Sequence, residues 1–440
     1  MEFKNKKVLL MGLGILGGGV ATARWLVGEG AELTVTDLKD EEYLKSSLDK
    51  LNDLDIKFAL GEHREKDFLN TDILVINPDV PANNKFVEIA RKAGKQIENE
   101  LTLFLKYAKY KTVIGITGTR GKTTTTNWIG TILKEAGREV VVLGNDPDKP
   151  FLSEIYNCDQ NTIAVVEMPS YQLEILDSSG LAPHIAVITN LYQDHLARHK
   201  TMQGYALAKA NIFKNQQEND FLILNKGNDW TEFFINQKPK SKVVFFSDIN
   251  LPNFDAKDFS QKYGEHNLYN FYAAASACAC LGISSEKILN SIENLPQIKF
   301  REELVYNKGG LEIYNDTTAT SPEAGIAAIE RFAKRGKKLI LITGGTDREL
   351  DFKKWAEAIK KFLTKDNIVL LSGSATDKMQ KELGWIVDEF DSLSACLHKA
   401  IEKAQDNAII LFSPSSKSFE KFKNEFDRGE KFNDLMNNLL

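Results

Sequence analysis

Short runs of aliphatic and β-branched residues recur along the chain, separated by longer stretches whose apolar positions repeat every three to four residues. Runs of the first kind suit strands buried on both faces, and stretches of the second kind suit helices laid across them. Their alternation predicts an α/β fold with mostly parallel sheets. In the first hundred residues the predicted strands are Val8–Met11, Leu33–Thr36 and Ile73–Ile76, and Val20, Ala23, Trp25 and Leu26 show helical spacing between them. A second block starts with Thr112–Ile116 and continues through Val140–Leu143, Ile163–Val166, Ile185–Ile188 and Phe221–Leu224. A third follows Pro296, with strands at Leu311–Tyr314, Leu339–Ile342, Ile368–Leu371 and Ile409–Phe412. Its first helix is signalled by Ser321 as cap, Pro322 in the first turn and Glu323 at the positive helix end. The expected domains are 1–96, 97–298 and 299–440.

Composition narrows the class. At 440 residues and 42% hydrophobic, the chain has apolar material for several cores. A formal net charge of -5 disfavours a general nucleic-acid binder, which would carry a basic surplus. Cys158, Cys278, Cys280 and Cys396 are scattered without CxxC spacing, so they are expected as reduced thiols of a cytoplasmic protein. No signal peptide and no apolar run long enough to span a bilayer is expected.

Two glycine-rich loops carry candidate chemistry. Gly12-Leu13-Gly14-Ile15-Leu16-Gly17 follows a strand and opens a helix, and Asp37 ends the next strand. Glycines there permit a tight turn and close approach to a diphosphate, so a nucleotide or dinucleotide site is one reading. A turn that needs glycine for steric reasons is the other. Gly115-Ile116-Thr117-Gly118-Thr119-Arg120-Gly121-Lys122-Thr123-Thr124 also joins a strand to a helix. Its successive N–H groups can cradle phosphate oxygens at a positive helix end. Lys122 would neutralise β- and γ-phosphates, and Thr123 would ligate Mg²⁺. The spacing is GxxGxxGKT rather than GxxxxGK[ST].

Further candidates stand at predicted strand ends, where ligands of open α/β sheets bind. Glu167, in Val166-Glu167-Met168-Pro169, could hold Mg²⁺ or its water; the alternative is a helix-capping acid. His195 follows Thr189-Asn190-Leu191-Tyr192-Gln193-Asp194, as a ligand or as a hydrogen-bonded structural residue. Lys209 taken alone is a solvated helix residue. The residues themselves reach an enzyme using Mg·ATP and leave the acceptor open.

Beyond that point the chain resembles the Mur ligase family, in order and along nearly its whole length. The motifs are GTRGKTT at 118–124, VVEMPSYQLE ahead of residue 175, NLYQDH at 190–195, HNLYN at 266–270, YNDTTAT at 314–320, GGTDRELDF at 344–352 and SPSSKSFEKFKNEFDRG at 413–429. The resemblance is strongest to the members that add D-glutamate. It implies an N-terminal Rossmann-like domain for a UDP-sugar, a central P-loop ATPase-like domain and a C-terminal Rossmann-like domain for the incoming amino acid. It also implies cytoplasmic peptidoglycan precursor synthesis by a monomer, with ATP, UDP-N-acetylmuramoyl-L-alanine and D-glutamate as substrates and no nucleic-acid or membrane partner. Catalysis is expected from Lys122, Glu167, His195 and Lys209. Thr123, Glu167, His195 and a carbamylated Lys209 are expected around two Mg²⁺ ions. Gly118, Thr119, Arg120, Gly121, Lys122, Thr123, Thr124, Asn267, Asn270, Arg301 and Asp316 match ATP-site positions. Gly14, Ile15, Leu16, Asp37 and Asn145 match the UDP-substrate site, and Thr320, Arg348, Ser418 and Phe419 the amino-acid site. The chain departs from the family pattern at Asp79, Arg120, Asp146-Pro147, Thr318 and Arg348. Three rivals are an NAD-dependent oxidoreductase, suggested by the N-terminal glycines, a related ligase with another amino-acid or acyl substrate, and a non-catalytic relative that keeps the fold without turnover.

Overall fold

The computed structural model describes residues 3–144, 149–347, 349–405 and 407–439. Asn145, Asp146, Pro147 and Arg348 lie outside the described residues. The chain divides into two compact units, residues 1–263 with 267–296, and residues 264–266 with 297–440.

The first unit holds two parallel sheets. The N-terminal sheet contains β1 (Lys7–Met11), β2 (Glu32–Asp37), β3 (Lys57–Leu60), β4 (Ile73–Ile76) and β5 (Gln96–Glu98), in the order β3-β2-β1-β4-β5. The second sheet contains β6 (Thr112–Thr117), β7 (Val140–Leu143), β8 (Ile163–Glu167), β9 (Ile185–Ile188), β10 (Phe221–Leu224) and β11 (Lys242–Phe245), in the order β11-β10-β9-β6-β8-β7. The central strand β6 runs parallel to both β8 and β9. That register sets Ile116 beside Glu167 and Thr117 beside Ile188. The loop after β6 therefore emerges between the ends of the two strands that carry the other central candidates. One apolar cluster runs through both sheets of this unit, from Val8, Leu10 and Trp25 through Phe104 and Phe151 to Ala164 and Ile188. Burial of such surface at roughly 25 cal/mol per Å² is the main force holding these layers together.

The second unit has one mixed sheet: β12 (Glu303–Lys308), β13 (Leu311–Asn315), β14 (Lys338–Gly344), β15 (Ile368–Leu371), β16 (Glu389–Phe390) and β17 (Ala408–Phe412), in the order β12-β13-β17-β14-β15-β16. Only the β12–β13 pair is antiparallel. Helices cover both faces: Ile329, Phe332 and Trp355 pack in the core of one side, and Cys396, Leu397 and Phe432 in that of the other. The predicted start of the first helix is present, with Ser321 Oγ accepting from the Ala324 N–H and Pro322 in the first turn. The four cysteines form no disulfide. Among the described residues, no helix is long and apolar enough to cross a membrane.

Candidate active site

The N-terminal glycine loop is closed by its own acid. Asp37 Oδ2 accepts from the Leu13 N–H at 2.8 Å and the Gly14 N–H at 3.2 Å, and Oδ1 accepts from the Lys39 N–H at 2.9 Å. A carboxylate already held by three amides fixes the loop, which does not favour its use on the ribose of NAD. Ile15 and Leu16 are 40% and 55% exposed at the tip, where a ligand can reach them.

The second glycine loop turns sharply into the helix Lys122–Glu135. Gly121 has φ +79, and a Cβ there would lie 2.0 Å from Asn270 Oδ1, so only glycine fits. The same contact places Asn270 directly on the loop; its Nδ2 donates to Asn267 Oδ1 at 2.8 Å. The segment after β9 acts as a splint. Asn190 Oδ1 accepts from the Arg120 N–H at 2.9 Å, while Thr189 Oγ1 and Asn190 Nδ2 donate to the Arg120 carbonyl at 2.7 and 3.1 Å. The Thr119 N–H bonds the Asn190 carbonyl at 3.0 Å, and Thr119 Oγ1 accepts from the Tyr192 N–H at 3.0 Å. These bonds occupy the Thr119 and Arg120 amides and fix the course of the loop before any ligand arrives.

Lys122, Thr123, Glu167 and Lys209 gather at this loop. Lys122 Nζ rests on the Thr119 carbonyl at 3.2 Å. Thr123 Oγ1 donates to Glu167 Oε2 at 2.8 Å, and Glu167 is 4% exposed at the end of β8. Lys209, on the helix Met202–Lys214, is 1% exposed. Its Nζ donates to the Gly118 carbonyl at 2.8 Å and lies 4.5 Å from the centre of the Tyr205 ring. Burial, followed by the nearby Lys122 charge, holds the Lys209 amine well below the usual lysine range, against the opposing pull of Asp194 and Glu167. His195, in the left-handed region at φ 53, is 5.8 Å ring to ring from the same Tyr205. Tyr205 therefore touches both residues, and its hydroxyl reaches Thr119 Oγ1 at 3.3 Å.

This donor set fits a phosphate-bound Mg²⁺. It offers a hydroxyl, a carboxylate and an imidazole around an anion-binding loop, and Mg²⁺ prefers a few protein oxygens plus phosphate and water to a full protein cage. The described residues contain no cluster of three or more His, Cys, Asp or Glu that could hold a metal ion.

A second group of residues joins the N-terminal layer to this site. Glu174 takes Arg198 in a bidentate pair, Nε to Oε1 at 2.6 Å and Nη2 to Oε2 at 2.9 Å, and also accepts from the Ala82 N–H at 3.0 Å. Arg198 donates in turn to the carbonyls of Pro78 and Val80, at 2.8 and 3.1 Å. Neither partner was legible as a contact, because 24 residues separate them and the carbonyls lie about a hundred positions upstream. Glu174→Ala leaves the guanidinium without its anion and the Ala82 amide without its acceptor. The expected cost is about 3 kcal/mol, measurable as a lowered urea midpoint for unfolding of the N-terminal unit.

In the C-terminal unit, Asp316 is buried; its carboxylate accepts from the Glu302 N–H at 3.2 Å and Ser413 Oγ at 2.8 Å. Arg301 is exposed one residue before. Thr320 accepts from Lys417 Nζ at 3.1 Å, Ser418 is buried and Phe419 is half exposed. Sequence reasoning did not single out Lys417 or Arg428. Arg428 is fully buried and donates to Thr317 Oγ1 and to the carbonyls of Thr317, Ser416 and Lys417.

A glycine loop between a central parallel strand and a helix, with a lysine, a threonine and a strand-end carboxylate around it, defines a nucleotide-binding protein of the phosphate-loop class. Comparison with known proteins carries this further. The Mur ligase MurD-like N-terminal domain matches residues 6–99, the Mur ligase middle domain 116–263, and the Mur ligase glutamate ligase domain 300–416. The chain belongs to the Mur ligase family. It is 37% identical to the UDP-N-acetylmuramoylalanine–D-glutamate ligase of Roseiflexus sp. (strain RS-1), over 98% of both chains. It is 35% identical to the protein of that name from Borreliella burgdorferi (strain ZS7), over 100% of this chain and 99% of that one. The Clostridioides difficile (strain 630) protein of that name is 33% identical over the full length of both. Among solved structures, MurC of Thermotoga maritima superposes with a TM-score of 0.59 at 18% identity, over 99% of this chain and 100% of that one. MurF of Acinetobacter baumannii gives the same score and identity, over 99% and 91%. Both likenesses bear on the fold.

Proposed function

We propose that the chain is an ATP-dependent amide ligase that joins D-glutamate to UDP-N-acetylmuramoyl-L-alanine in peptidoglycan precursor synthesis, with ADP and phosphate as products. The observation that carries the chemistry is the splinted loop 118–121, with Lys122, Thr123, Glu167 and Lys209 gathered on it. The full-length likeness to D-glutamate ligases supports the substrate assignment.

In this reading the substrate carboxylate attacks the γ-phosphorus of ATP, forming an acyl phosphate and releasing ADP. The amine of D-glutamate then attacks the acyl carbon, and the tetrahedral adduct expels phosphate as the amide forms. The chain's contribution is positioning and charge. Loop amides cradle the phosphates, Lys122 leaves the Thr119 carbonyl for a phosphoryl oxygen, and Asn267 and Asn270 face the nucleotide, with Arg301 and Asp316 also assigned to it. Thr123, Glu167 and His195 would hold Mg²⁺, which when bound supplies Lewis-acid neutralisation of the transferring group. A carbamate on Lys209 would add an oxygen donor for a second ion. Gly14, Ile15 and Leu16 take the UDP moiety in the N-terminal domain on a loop that Asp37 holds in place, and Thr320, Ser418 and Phe419 take the amino acid in the C-terminal one. A monomer working in the cytoplasm fits this role.

Phosphate release with Mg·ATP, UDP-N-acetylmuramoyl-L-alanine and a panel of D- and L-amino acids tests the proposal. D-Glutamate should be the only strong activator. Release with a different amino acid would replace the specificity while keeping the reaction, and release with none would reject both.

A further inference from the structure

Two loops that leave the carboxyl ends of neighbouring strands in the third sheet are tied together by a lysine. One follows β13 and runs Asp316-Thr317-Thr318-Ala319-Thr320-Ser321, which contains no basic residue. Its Thr318 hydroxyl is turned onto the Phe300 carbonyl at 2.8 Å. The other follows β17 and contains Ser416-Lys417-Ser418. Lys417 is held at its backbone: its N–H donates to the Thr346 carbonyl at 3.1 Å, and its carbonyl accepts from the Thr346 N–H at 2.9 Å and from Arg428 at 3.1 Å. Its Nζ donates to Thr320 Oγ1 at 3.1 Å, bringing a positive charge to a threonine on the loop that has none of its own.

The same segment keeps hydrogen-bonding capacity that folding does not use. Ser416 and Ser418 are 0% and 2% exposed, and neither hydroxyl has a partner among the described residues. A buried hydroxyl without a partner costs about 1–3 kcal/mol, so two in one three-residue stretch point to a ligand that completes them.

We propose that Lys417 is a specificity-determining residue of the amino-acid site: its ammonium, aimed by Thr320, receives a carboxylate of the incoming amino acid. This rests on the reading that the C-terminal unit binds an acidic amino acid. A charge-assisted bond from an ammonium to a carboxylate is among the stronger hydrogen bonds available, and the pinned backbone limits the entropy lost on forming it.

The test uses the full-length protein, varying D-glutamate, ATP and the UDP-sugar in turn. Lys417→Met keeps the alkyl stem and removes the charge, and Lys417→Arg keeps the charge; Lys417→Gln replaces Met should that variant melt early. Lys417→Met should raise KM for D-glutamate about tenfold or more, with KM for ATP unchanged, and Lys417→Arg should recover most of the loss. An unchanged KM for D-glutamate, or equal rises for ATP and D-glutamate, would overturn the role. A wild-type enzyme silent with D-glutamate would instead defeat the underlying reading before any variant is compared.

Discussion

Lys122→Ala should lose amino-acid-dependent phosphate release by about 10³-fold or more, the scale of removing a charge that stabilises a transferring phosphoryl group. The lysine is the first residue of its helix, and its amine rests on a carbonyl of the same loop at 3.2 Å, a weak contact easily exchanged for a phosphate oxygen. The backbone cradle does not depend on it, because Thr189 and Asn190 hold Arg120 independently. The variant should therefore melt at the wild-type temperature while failing to turn over. Turnover near the wild-type rate would remove Lys122 from the mechanism.

Lys209→Arg should be nearly as damaging, by about 10²–10³-fold. The free amine sits between the Gly118 carbonyl and the Tyr205 ring with almost no solvent contact. Its depressed pKa, caused first by burial and then by Lys122, keeps more of it neutral, the form that can add to CO₂. An arginine is neither neutral nor able to carry a carbamate. Wild-type activity should fall in CO₂-free buffer and return with bicarbonate, whereas Lys209→Arg should show no bicarbonate response. Because protonation removes the reactive amine, the bicarbonate requirement should steepen as pH falls. Equal activity with and without bicarbonate would take the modification out of the mechanism.

How far the sequence reveals this architecture depends on where each strand lies. The interior strands, such as β1, β6, β8 and β14, were legible because both faces are buried and their residues read as unbroken apolar runs. The strands that escaped notice are β3, β5, β11, β12 and β16, and every one is at an edge of its sheet. Lys57–Leu60 is only four residues long and leaves Phe58 40% exposed, and Glu303–Lys308 holds a three-residue apolar run, Leu304–Tyr306, between polar ends, so neither reads as a strand buried on both faces. The site shows the same division. The loop at 118–124 and the acid at 167 stand out because chemistry and local chain direction coincide. The Thr189–Asn190 splint, the Glu174–Arg198 pair and the bond from Lys417 to Thr320 are made between segments distant in sequence, and no local pattern encodes them.

The short helix Leu196–His199 begins immediately after His195 and carries Arg198, whose guanidinium grips two carbonyls in the layer assigned to the sugar nucleotide. Three peptide units thus separate the His195 imidazole, which lies against Tyr205, from an anchor in another layer. The placing of that imidazole is thereby tied to the backbone at Pro78 and Val80, so loosening the Arg198 anchor is expected to be felt at His195 as well as in the layer it grips.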